Sequence, residues 1–139
     1  MEAIKMPPQE VVRRDRGDLL EEITRSIVRL HKAYIGQGPT KARTYFTDDL
    51  VVCVLQGVFT RAERTLLEHG RARGVIDQRD ALDETLRQPL SDAVEGLLGR
   101  RVVGLTSAVQ PDEDLSTLVF LLESARAAPE ASVTPITGR

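Results

Sequence analysis

Few residues in this chain have the types and spacing for chemistry, and for most of them a plain structural reading weighs more. Gly36-x-Gly38-Pro39 has the glycines of an anion loop. A phosphate loop, however, follows a strand and opens a helix, so that backbone N–H groups and the helix dipole meet the anion. Here the glycines end a helix and lead into a strand, and Pro39 removes a donor, so the stretch reads as a helix stop and a turn. Two histidines, His31 and His69, and one cysteine, Cys53, are too few for a zinc site, which needs three or four ligands at defined spacings. His31 is placed on the solvent side of its helix, and His69 in a last turn, where histidine can bond free carbonyls. Asp112, Glu113 and Asp114 read as a solvated turn before they read as a cation site. Asp48 and Asp49 are sequence neighbours that point apart, which suits a turn and not an acid–base dyad. No serine or cysteine has a histidine placed to be its base. No catalytic residue, metal or cofactor is therefore expected, and the chain does not read as an enzyme.

One set survives. In Lys41-x-Arg43-x-Tyr45, strand alternation puts all three side chains on one face, a cationic and aromatic stripe suited to an anionic ligand or a partner protein. Gly38 and Pro39 precede it directly. The expected interaction surface is Gly38, Pro39, Lys41, Arg43 and Tyr45.

These residues need elements to position them. Asp18 and Glu21 resemble a capping box, and Leu20, Ile23, Ile27, Leu30 and Tyr34 recur at helical spacing, so the first helix is expected from Asp18 to Gly36. Residues 1–17, with two prolines and no apolar period, read as a flexible leader. Lys41–Phe46 reads as a strand, Asp48-Asp49 as the turn, and Leu50–Gln56 as a second strand, apolar enough to imply burial on both faces. Gly57 marks a bulge or a close backbone approach. Thr60-x-x-Glu63 is a full capping box and opens a second helix reaching about His69. Residues 70–74 are a linker, and a third helix spans about Val75 to Leu98, with a kink or break expected near Gln88 because Pro89 lies inside it. Gly99 stops that helix, and Arg100 and Arg101 suit its C-terminus. Val102–Val109 and Leu115–Leu122 make a second hairpin. The composition shift from Ser124 onward predicts a disordered tail, residues 124–139.

The order α-β-β-α-α-β-β predicts an α+β two-layer sandwich, with helices on one face of a four-stranded, mostly antiparallel sheet. Residues 18–123 form one domain, in keeping with a length of 139 residues. Three helices cannot cover every apolar strand face, so a homodimer is expected. A net charge of −2 and a pI near 5.7 argue against nucleic acid, which a basic stripe and stacking aromatics would favour. An RNA- or ribosome-associated binding protein is thus the alternative reading and not the first. MEAIKMPPQE lacks an apolar core of signal-peptide type, and no apolar run approaches the ~20 residues that cross a bilayer. The expected location is the cytoplasm, without direct membrane insertion.

Taken together, Tyr34-Ile-Gly-Gln-Gly-Pro39, Arg43-x-Tyr45, Asp49, the valine-rich strand, Gly57, Thr60-x-x-Glu63 and Pro89 resemble the MpsC-like family of bacteria, over roughly Leu20 to Glu123. That family is named for a sodium-translocating, membrane-potential-generating system. The resemblance implies an accessory or regulatory component linked to membrane potential or to cation or inorganic-carbon transport, with a membrane transport protein as partner. One segment departs from the family pattern: where relatives commonly carry His-Thr-Asp, this chain reads Leu105-Thr106-Ser107-Ala108.

Overall fold

The protein is described by a computed structural model covering residues 8–124. The element order is α1 (Pro8–Ile35), β1 (Lys41–Thr47), β2 (Leu50–Gln56), α2 (Arg61–Glu68), α3 (Ala72–Leu98), β3 (Val102–Gln110), a 3₁₀ turn (Pro111–Glu113) and β4 (Leu115–Leu122). The four strands form one sheet in the order β1-β2-β4-β3, and every pairing is antiparallel. This is the α+β sandwich that the order of elements predicts. The two hairpins lie side by side, with β2 and β4 in the centre and β1 and β3 at the edges.

Side-chain alternation divides the sheet into two faces. Val51, Cys53 and Leu55 of β2 and Leu118, Phe120 and Leu122 of β4 point to the helices and are buried. They meet Ile23 and Ile27 of α1 and Val75, Leu86, Leu90 and Val94 of α3 in one core. α1 lies against β1, α3 against β3, and the two helices against each other. The opposite face carries Leu50, Val52 and Val54, which stay half-buried, so β2 is fully covered on one side and not on both.

The local chemistry explains most of the joints. Gly36 ends α1 at φ +98°, and Asp48 adopts φ 50° in the β1–β2 turn. Gly57 is required twice over. It sits at φ +65°, and a Cβ there would overlap the Thr40 hydroxyl and lie 2.9 Å from Thr40 Cγ2. Thr60 caps α2 through its side chain, which accepts from Glu63 N, while Glu63 Oε1 accepts from Thr60 N at 2.8 Å.

Three expectations are corrected. α1 begins at Pro8, not at Asp18, because residues 8–17 continue the helix and leave Asp18 inside it. The remainder of the expected leader, residues 1–7, and the tail from residue 125 lie outside the described residues. α3 begins at Ala72, inside the expected linker of residues 70–74, and runs unbroken through Pro89. An interior proline costs about 3 kcal/mol, but Leu86 and Leu90 are both buried beside it and hold the helix on the sheet. Thr85, whose carbonyl loses its helical partner to Pro89, is exposed, so water can satisfy that carbonyl. Among the described residues, no helix is long and apolar enough to cross a membrane.

Candidate functional site

Three of the five expected surface residues come together. Lys41, Arg43 and Tyr45 are exposed and share the helix-free face of the edge strand β1. Opposite them on β2 stand Gln56, Val54 and Val52 in register. With Ala42, Val54 and Gln56 the three line a shallow concavity of about 450 Å³. Half of Tyr45's surface is open to solvent. The site thus offers two mobile cationic heads, an aromatic face and an apolar floor, a set that fits a carboxylate-bearing partner. Gly38 and Pro39 belong to a different structure, the joint between α1 and β1. Both are half-buried, and a Cβ on Gly38 would sit 3.6 Å from Val28 Cγ1. The joint is pinned further on, where Gln37 Nε2 donates to Phe59 O at 3.0 Å.

The strongest polar cluster lies in the core, and sequence pattern alone did not reveal it. Arg79 of α3 is 1% exposed and donates to both carboxylate oxygens of Glu63, at 2.8 and 2.9 Å. It also donates to Val58 O and stacks on Phe59, 5.3 Å from the ring centroid. One guanidinium therefore ties the β2–α2 loop and the start of α2 to α3. Burial pushes the Glu63 carboxyl up, but hydrogen bonds from Arg79 and the Thr60 backbone, with the Arg79 charge, outweigh it and hold it below the usual carboxylate range. His31 of α1 is also buried in the core, not on the solvent side as expected. The reason is register: His31 follows Ile23 and Ile27 at steps of four, so the buried stripe runs through it while Tyr34 turns outward. Among the described residues, neither His31 ring nitrogen has a hydrogen-bond partner. Burial first, and the Arg79 charge second, push its pKa down to about 4, so the ring is neutral at pH 7. The signal for both residues was positional. Arg79 lies four after Val75 and seven before Leu86, inside the apolar stripe of α3.

The profile of one family, MpsC, described as a Na+-translocating membrane potential-generating system, matches residues 15–124. The chain belongs to the MpsC family. Two relatives from Bacillus subtilis (strain 168) share the domain. Uncharacterized protein YrhF is 22% identical over 106 residues, covering 75% of this chain and 87% of its own. Uncharacterized protein YbcI is 25% identical over 114 residues, covering 80% of this chain and 90% of its own. No solved structure matches the chain.

In this MpsC-family protein the segment Leu105–Ala108 lies on edge strand β3 beside α3. There Ser107 Oγ donates to Asp83 Oδ2 at 2.9 Å and Arg87 donates to Leu105 O. A groove of about 380 Å³ runs between the two elements, lined by Asp80, Asp83, Glu84, Arg87, Thr106 and Ser107 among others. Burial raises the Asp83 carboxyl against the lowering effects of Ser107 and Arg79. The other residues weighed for chemistry serve the fold. Cys53 is buried, its thiol pushed up to about 11 by burial. His69 Nδ1 lies 2.9 Å from Thr65 O in the last turn of α2. Asp114, expected in a solvated turn, instead accepts from Val58 N and Phe59 N at 2.8 and 3.1 Å, so it braces the β2–α2 loop from the far hairpin. Arg100 reaches the β1–β2 turn, at Asp48 O and Asp49 Oδ1, and Glu123 O at the end of β4.

Proposed function

We propose that this MpsC-family chain is a non-enzymatic accessory or regulatory module of a membrane-potential or cation-transport system. It acts in the cytoplasm as a homodimer and docks on a membrane transport protein through Lys41, Arg43 and Tyr45. The observation that carries this reading is the position of those three side chains, exposed together on the helix-free face at the edge of the sheet, in a chain whose family is described by a Na+-translocating system. Two cations beside an aromatic ring favour an acidic segment of the partner, and most of the docking energy of such contacts rests on Arg and Tyr anchors.

The test is capture from detergent-solubilised membranes with the wild-type protein and with the Arg43→Ala/Tyr45→Ala variant. Both positions are exposed on an edge strand, so the variant keeps its fold. Loss of the captured transport protein with the variant supports the reading. Equal capture by both proteins overturns it.

A further inference from the structure

We infer that the helix-free face of the sheet is the homodimer interface, with the twofold axis parallel to the strands and passing between β2 and β4. This rests on the dimeric reading above and adds its geometry. Register places the outward residues in rows across β1, β2, β4 and β3. The two central strands contribute Leu50, Val52, Val119 and Leu121, and Leu121 is 48% exposed in the single chain. The β1 margin is bulky, with Arg43 and Tyr45, and the β3 margin is small, with Ala108 and Thr106 in the same rows. No outward position of the four strands carries a carboxylate.

A twofold axis along the strands turns that asymmetry into a fit. It sets β2 over β4 of the second copy, so Leu50 meets Leu121 and Val52 meets Val119 across the interface. It also sets the bulky β1 margin over the small β3 margin, with Arg43 over Ala108 and Tyr45 over Thr106. Like charges never face one another in this arrangement. The other in-plane axis, across the strands, would put β1 over β1 and bring Lys41 and Arg43 of the two copies onto the same edge. Four strands spaced ~4.8 Å apart and about seven residues long give a flat footprint of roughly 450 Å² per copy. Side-chain relief raises the total for two copies past the ~1,000 Å² that a specific interface needs, at the weak end of the range. Lys41, Arg43 and Tyr45 stand on an edge strand and so at the rim of this interface, each with its outer side to solvent. Rims stay polar and accessible, which keeps the partner-docking residues available in the dimer.

Sedimentation equilibrium on the full chain tests this. The wild type is expected to be a dimer at tens of micromolar. Leu121→Asp is expected to be monomeric with an unchanged circular dichroism spectrum, and Leu66→Asp on α2, exposed and outside the face, to remain dimeric. A pair of variants at an exposed position separates fit from folding. Ala108→Arg, which sets a cation beneath Arg43, is expected to weaken the dimer about tenfold, and Ala108→Glu to tighten it several-fold. A monomeric wild type overturns the inference. A dimer indifferent to Leu121→Asp and to the charge at residue 108 overturns this face, while leaving dimerisation itself and the capture assay above to stand or fall separately.

Discussion

Replacing Glu63 by glutamine keeps the side chain's shape and its capping bond to Thr60 N but removes the charge that answers Arg79. The guanidinium is 1% exposed and its ion pair is bidentate, so no solvent stands ready to take over. Breaking one partner of such a buried pair leaves an uncompensated charge, which costs about 3–5 kcal/mol. Val58 O and the Phe59 ring remain as partners for Arg79, so the lower end, about 3 kcal/mol, is the expectation for Glu63→Gln. Arg79→Met should cost a similar amount, because it strands the Glu63 carboxylate and the Val58 carbonyl. Combining the two removes both charges, and the double variant should be more stable than the sum of the single losses by about 2 kcal/mol or more. Urea denaturation followed by circular dichroism at pH 7 measures all four proteins, with the slope held constant as a check on the unfolded state. By contrast Glu21→Ala, which breaks the solvent-exposed Arg25–Glu21 pair, should cost under about 0.5 kcal/mol. A loss below about 1 kcal/mol for Glu63→Gln would refute the claim that this pair is buried and clamps α2 to α3.

Three further outcomes follow from the same structure. Because His31 titrates near 4 in the folded chain and near 6.5 unfolded, the unfolded chain binds more protons between those values. Stability should be full above pH 6.5 and fall by about 3 kcal/mol as pH drops to 4, and His31→Leu should flatten that part of the curve in stability measured against pH. Gly57→Ala should cost more than the ~1 kcal/mol of a left-handed alanine, since its Cβ also overlaps Thr40; thermal unfolding checks this, and a neutral effect would contradict the close approach. Cys53 should resist alkylation at pH 8 in the folded protein and react on addition of urea, a difference that mass spectrometry reads directly.

How far the sequence led depended on the kind of signal. The Thr60–Glu63 capping box, the Asp48 turn and the bounds of β4 were legible because each is a local rule written in adjacent residues. Gly57 was readable as a close approach, though Thr40 as its neighbour was not. The start of α1 was misplaced because Asp18 and Glu21 imitate a cap inside a helix that residues 8–17 already propagate. His31 and Arg79 are polar types, which on a helix read first as solvent-facing. Both stand in apolar stripes, which carry a polar side chain into the core and not to a solvent face. The adjacency of β2 and β4, which creates the apolar centre of the outer face, is a long-range pairing that no local pattern encodes. At the candidate site, strand alternation makes Lys41, Arg43 and Tyr45 legible as one face, whereas Gly38 and Pro39 are near them in sequence but lie half-buried in the joint between α1 and β1.

We propose above that the Lys41–Arg43–Tyr45 stripe connects this chain to a membrane-potential system. The most direct measurement uses cells lacking the protein, complemented with wild type or with Arg43→Ala/Tyr45→Ala at equal abundance, and reads membrane potential with a voltage-sensitive dye as sodium is raised. The wild type is expected to restore the potential and the double variant to leave it unrestored. Full restoration by the double variant, or an unaltered potential in cells without the protein, would contradict it.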